Sequence, residues 1–237
     1  SVEEILVRSS NVGSVLLAKK IGEKHYKEFI EETNITQNPK IELEEVGVPH
    51  RLKWNKCKLE TVSFGHGITT TPLQATALYA AMINGGKIVI PSLIKQRKTE
   101  NSKSIISTDT SDKLRNILRK VVSSKDGTAS LADKDGYYVG GKTGTAESYG
   151  DKKNRINTFI SVFPTNNPKY TLFVMLENPK INKDLIYNYR GVKTKAPYNT
   201  SGWNSVYVAG KIIEKIGPIL AIKNEEFTDQ YVVEKFN

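Results

Sequence analysis

The sequence has 237 residues, 38% of them hydrophobic, and 35 Lys and Arg against 25 Asp and Glu give a formal net charge of +10. That length holds one large domain or two small ones, and the charge favours anionic partners, yet the scattered lysines carry no nucleic-acid signature, so no nucleic acid is expected. No run of about 18 apolar residues exists, so no segment reads as a membrane-spanning helix.

In chain order, Ser1 with Glu4 fits a capping box, and "VEEILVRSS" runs at helical spacing to a polar break at Ser9-Ser10-Asn11. "VGSVLLAKKIG" places Val12, Val15, Leu16 and Ile21 on a helical stripe, and "EKHYKEFIEET" continues with Tyr26, Phe29 and Ile30. From Asn34 to Leu59 the periodicity dissolves into a long connection. Helix returns at "TPLQATALYAAMINGG", where Thr71 caps, Pro72 takes the first helical position and Asn84-Gly85-Gly86 closes the end.

"KIVIPSLI" reads as a short strand broken by Pro91, and "STDTSDKLRNILRKVVSS" as an amphipathic helix with Leu114, Ile117, Leu118 and Val121 on one side. Then the character changes. "YYVGGKTGTAE", "NTFISVFP" and "KYTLFVMLE" are three strand-like segments whose short connections imply antiparallel neighbours. A long polar loop from Asn178 to Ser201 leads into "SGWNSVYVAGKIIEKIGPIL", a closing helix able to cover one sheet face. Cys57 is the only cysteine, which excludes an internal disulfide, and His25, His50 and His66 lie far apart, so no metal or other cofactor is expected. The chain starts at Ser1 without a leader pattern, which reads as a processed product or a fragment.

"GYYVGGKTGT", Gly136 to Thr145, fits two chemical templates. As G-x-x-x-x-G-K-T it matches a phosphate loop, which needs a buried strand before the first glycine and a helix opening at the Lys-Thr pair. Polar "LADKD" precedes it, and no helical pattern follows. As K-T-G it needs a strand, on which Thr143 and Thr145 share a face. Glycines at 140, 141 and 144 remove side chains, so a substrate backbone is expected to approach closely. Such an edge strand pairs with an extended peptide while its hydroxyls and an N–H meet a carboxylate or an oxyanion.

Upstream, "SSN" at Ser9 to Asn11 supplies S-x-N in the matching chain order. With "EEILVRSSNVGSVLLAKKIG", "TVSFGHGITTTPLQATALYAAMINGG", "GGKTGTAE" and "TSGWNSVYVAGKIIEKIGPIL", the sequence resembles the transpeptidase domain of class B penicillin-binding proteins of the septal, cell-division type. The resemblance implies an α+β fold of the penicillin-binding protein and serine β-lactamase kind, truncated to three strands of an antiparallel sheet covered by helices, plus a helical subdomain. It implies a partial transpeptidase domain over 1–237, with the helical subdomain over about 1–130, the sheet and C-terminal helix over about 131–222, and a tail 223–237.

It also implies an activity: a serine attacks the D-Ala-D-Ala carbonyl of a peptidoglycan stem peptide, and the acyl group passes to an amine on a neighbouring stem. β-Lactams trap that intermediate. Carried over by motif, Ser9 joins the proton relay and Asn11 orients the substrate amide and the catalytic lysine. Lys142 supplies positive charge, while Thr143, Gly144 and Thr145 form the substrate-binding strand, with the Thr145 N–H as half of an oxyanion hole. Expected partners are stem peptides, β-lactams and membrane proteins of the division complex, at the periplasmic face of the bacterial inner membrane with the anchor outside this chain.

One element of the pattern is missing. The nucleophile motif S-x-x-K should precede S-x-N, yet "SVEEILVR" lacks it and the only S-x-x-K is "SLIK", Ser92 to Lys95, better read as structural. The chain alone is therefore expected to be inactive. The competing readings are a pseudoenzyme or β-lactam-sensor fragment and, more distantly, a basic nucleic-acid-binding domain.

Overall fold

The computed structural model describes residues 1–95, 103–147 and 154–220, so the expected tail 223–237 lies outside the described residues. The architecture is α+β, divided into two compact units, Ser1–Ile117 and Leu118–Asn237.

The first unit is helical. Helix α1 (Val2–Val7) opens on the expected capping box between Ser1 and Glu4. It stops at Arg8, Ser9 turns the chain with φ 55°, and the Ser10 hydroxyl accepts the Gly13 N–H at 3.1 Å to open α2 (Asn11–Ile21). Gly22, at φ 88°, separates α2 from α3 (Glu23–Glu32). Helix α4 (Lys58–Ser63) packs on α2, and α5 (Pro72–Ile83) carries the expected cap, with the Gln74 N–H donating to the Thr71 hydroxyl at 3.1 Å. Such a cap is worth about 1 kcal/mol. Helix α6 (Thr108–Ser123) is tied to the end of α5: Arg115 donates to the Ile83 carbonyl at 3.2 Å, and the Ser111 hydroxyl accepts the Gly85 N–H at 3.0 Å.

Three expectations fail in this unit. The stripe on α2 is not its packed face: Val12 and Leu16 are 72% and 64% exposed, while the small Ala18, 1% exposed, is the buried residue of the helix. Among the described residues "KIVIPSLI" forms no strand, only the isolated bridge between Lys87 and Ser104; Pro91 removes a donor, and Ile90, Leu93 and Ile94 remain exposed. The connection expected to reach Leu59 ends earlier, since α4 already begins at Lys58.

The second unit is built on a sheet of order β1-β2-β3, all antiparallel: β1 (Gly140–Glu147), β2 (Arg155–Phe163) and β3 (Tyr170–Glu177). Helix α7 (Ser205–Ile216) packs on β2 and β3, and its Val206, Ala209 and Ile213 are fully buried. Each large aliphatic side chain so buried contributes roughly 1.5–3 kcal/mol. Tyr137 to Val139, read as the start of a strand, instead lead into it, because Tyr138 takes φ 46°. Arg119 of α6 holds that lead-in, donating to the Val139 carbonyl and to Asp133, both at 2.8 Å.

The segment from Asn178 to Ser201 is not a plain loop. It contains a hairpin of β4 (Tyr187–Tyr189) and β5 (Val192–Thr194), and then a 3₁₀ turn at Ser201–Trp203.

Candidate active site

Among the described residues strand β1 is an edge strand of the sheet, and its alternation decides which groups share a face. In register, Thr143 lies opposite Phe159, Thr145 opposite Asn157 and Lys142 opposite Ile160. Thr143 and Thr145 therefore share one face, as the spacing predicts, and Lys142 takes the other. No helix opens at Lys142-Thr143, because β1 runs through both residues, and the phosphate-loop reading ends there.

Each threonine hydroxyl meets a second hydroxyl. Thr143 Oγ1 lies 2.9 Å from Thr128 Oγ1, and Thr145 Oγ1 lies 2.9 Å from Ser201 Oγ. The Ser201 N–H also donates to Thr145 Oγ1 at 3.4 Å, and the Ser201 hydroxyl donates to the Gly144 carbonyl. Thr128 and Ser201 are absent from the sequence-derived site. Their only sequence signal is a small hydroxyl residue beside a glycine, at Gly127-Thr128 and Ser201-Gly202.

Lys142 is largely buried, and its Nζ donates to the Thr143 carbonyl at 3.1 Å. Removing water from the ammonium disfavours its charged form, and burial pulls its pKa down to about 8. Across from Thr145, the Asn157 side chain is fully exposed to neither solvent nor partner: it is 0% accessible, and both amide atoms lack a hydrogen bond.

The glycines of this strand are required by close packing within the protein. A Cβ at Gly140 would lie 2.5 Å from Thr165 Cγ2 and 3.0 Å from the α6 backbone at Leu118 and Arg119. At Gly141 it would strike the Phe159 ring at 2.7 Å, and at Gly144 the Thr158 hydroxyl at 2.5 Å. The protein's own packing takes the space that a Cβ would need at these positions.

Ser9 and Asn11 belong to the first unit, whereas Lys142, Thr143, Gly144 and Thr145 belong to the second. Both Ser9 and Asn11 are exposed, Ser9 at the αL turn and Asn11 as the first residue of α2. The Ser10 N–H donates to the Ile5 carbonyl at 2.9 Å and the Ser14 hydroxyl to the Ser10 carbonyl at 3.0 Å, which fixes the turn that presents them. In "SLIK", the Ser92 hydroxyl is hydrogen-bonded to the Glu42 carboxylate and accepts the Ile94 N–H at 3.1 Å. That is a turn-capping role, in keeping with its structural reading.

Among the described residues no group of three or more His, Cys, Asp or Glu side chains is placed to hold a metal, and no helix is long and apolar enough to cross a membrane.

The profile of the penicillin binding protein transpeptidase domain matches residues 1–199. The chain belongs to that family. Among the transpeptidase relatives, the probable peptidoglycan D,D-transpeptidase FtsI of Caulobacter vibrioides is 30% identical over 237 residues, covering 94% of this chain and 38% of that protein. Stage V sporulation protein D of Bacillus subtilis is 33% identical over 196 residues, covering 75% of this chain and 30% of its own length. This member of the transpeptidase family thus spans 38% and less of the length of these relatives.

Solved structures carry the same fold. The apo transpeptidase domain of Burkholderia pseudomallei penicillin-binding protein 3 superposes with a TM-score of 0.78 at 21% identity, covering 94% of this chain and 65% of that one. Penicillin-binding protein 3 of Mycobacterium tuberculosis complexed with ampicillin gives 0.74 at 26% identity, covering 92% and 51%.

Proposed function

We propose that this chain supplies the S-x-N and K-T-G walls of a serine-type peptidoglycan D,D-transpeptidase. The observation that carries the proposal is β1, an edge strand among the described residues, on which two threonine hydroxyls share one face and a largely buried lysine immediately precedes them in the strand. Hydroxyl donors and a cation suit a carboxylate, as at the end of D-Ala-D-Ala or on a β-lactam. In this reading Thr143 and Thr145 hold that carboxylate, and the Gly144–Thr145 backbone faces the scissile carbonyl. Lys142 contributes charge and, with a pKa of about 8, a proton that moves near neutral pH. Ser9 passes a proton to the leaving nitrogen, and Asn11 orients the substrate amide.

The nucleophile in this reading is the serine of an S-x-x-K motif. Its Oγ–C bond forms as the C–N bond breaks, D-alanine leaves with the proton, and an amine of a second stem then displaces the serine. The only S-x-x-K in the sequence is the turn-capping Ser92–Lys95. Residues to about 130 serve as the helical subdomain and about 131–222 as the sheet with its closing helix. The setting is septal wall synthesis at the periplasmic face of the inner membrane, with division-complex membrane proteins as partners. The Caulobacter relative, a probable peptidoglycan D,D-transpeptidase, and the ampicillin complex of the mycobacterial protein support this reading.

Labelled penicillin tests it. The 237-residue chain by itself should take up no stable label, and the same chain joined to a preceding segment that carries S-x-x-K should take it up at that serine. Label on Ser92 or on any other serine of this chain, or no label in the joined protein, overturns the proposal.

A further inference from the structure

The two hydroxyls that partner Thr143 and Thr145 lie in separate segments, and one small hairpin touches both. Strands β4 and β5 are joined by Arg190 and Gly191, at φ 54° and 83°, the left-handed pair of a tight hairpin turn. Asn, Asp or Gly ordinarily fills the first of these positions, so an arginine there calls for a reason. Its guanidinium donates to the Ser124 carbonyl at 2.8 Å, to the Gly127 carbonyl at 3.1 Å and to the Lys125 carbonyl. Thr128 is the next residue along. Guanidinium donors to several carbonyls fix a loop in a way that one ammonium does not.

The strands of the same hairpin close on the other segment. Tyr189 stacks on Trp203 with centroids 4.8 Å apart, and Tyr187 meets Trp203 edge-on at 5.5 Å. Trp203 shares its 3₁₀ turn with Ser201. The two segments also abut directly, since a Cβ on Gly202 would lie 2.8 Å from the Thr128 carbonyl oxygen. The Arg190 guanidinium lies 5.2 Å over the Tyr189 ring, which links the two grips.

We propose that the β4–β5 hairpin is a brace that positions Thr128 and Ser201, and through them the Thr143 and Thr145 hydroxyls, to receive a ligand carboxylate. Arg190 is its main positioning residue. The proposal rests on the reading of β1 as a carboxylate-binding wall. What it adds is that a substitution in the hairpin alters the wall through two hydroxyls that the hairpin itself does not carry.

The test uses the full 237-residue chain, its threonine methyl groups followed by NMR, and N-acetyl-D-alanyl-D-alanine as the titrated carboxylate. Arg190→Ala should shift the Thr128 and Thr143 methyl resonances and weaken the ligand roughly fivefold, whereas Arg190→Lys, losing the fork, should fall between it and the parent. In a Thr143→Val background the effect of Arg190→Ala on affinity should disappear, which a loss of general stability would not produce. Tyr189→Leu loosens the other grip and should move the Thr145 methyl signal instead. Unmoved Thr128 and Thr143 methyls in a folded Arg190→Ala protein overturn the brace, and so do additive effects in the Thr143→Val background. A parent chain that binds no ligand overturns the carboxylate wall and the ligand half of this proposal, while the methyl shifts still decide whether the hairpin sets the hydroxyls.

Discussion

Lys142 shows how burial changes the protonation of a common side chain. An exposed lysine keeps its proton far above neutrality, but this one is largely removed from water, and burial pulls its pKa down to about 8. Carboxylate binding should therefore weaken as pH rises through about 8, and a titration of ligand affinity against pH checks it. Lys142→Met should bind a carboxylate roughly tenfold more weakly at pH 7 and lose that inflection. Stability moves in the opposite sense. Between the folded value near 8 and the unfolded value near 10.5, the unfolded chain holds the extra proton, so folding stability rises with pH across that window and is flat below it. A wild-type unfolding midpoint that does not climb relative to Lys142→Met over that window would contradict the burial argument. The threonines of the motif were legible because three residues in a row set their spacing. Their partners were not, because Thr128 lies 15 residues from Thr143 and Ser201 lies 56 from Thr145, a separation that no local pattern encodes.

At the scale of elements, the close approach of β1 to α6 is set by Gly140. Gly140→Ala puts a methyl 3.0 Å from backbone atoms that cannot rotate away, so it should destabilise the chain by about 1–3 kcal/mol, measurable in a denaturant titration. The cost should exceed that of an alanine at an exposed strand position. Helices announced themselves through chemistry at their ends: Ser1 with Glu4, and Thr71 with Pro72, each form the cap that the sequence predicts. The β4–β5 hairpin did not, because three-residue strands bear too little alternation, and it is held by Trp203 and by carbonyls of a remote loop. "KIVIPSLI" is the reverse case. Its β-branched residues suit a strand, but a strand also needs a neighbour, and among the described residues it has only the bridge at Lys87 and Ser104.

For the whole molecule, the formal charge of +10 acts at long range and without sequence preference. Any DNA retention at low salt should be weak and vanish near 0.15 M salt, and a gel-shift series over salt concentration checks it. Binding that persists there would revive a nucleic-acid role. The fold class followed from the family resemblance that S-x-N and K-T-G carry in their chain order, while caps and alternation placed individual helices and strands. The division at Ile117–Leu118 did not follow, because it falls inside one continuous amphipathic helix, α6.

The Thr128–Thr143 pair has one more property: either oxygen can be the donor. Turning two O–H bonds reverses the direction of the bond while every heavy atom stays in place. When Thr128 donates, the Thr143 proton is released toward an anion; when Thr143 donates, it offers a lone pair to an incoming N–H. A single rigid surface thus has two polarities, one suited to a carboxylate and one to an amine, and passes between them at the speed of a hydroxyl rotor.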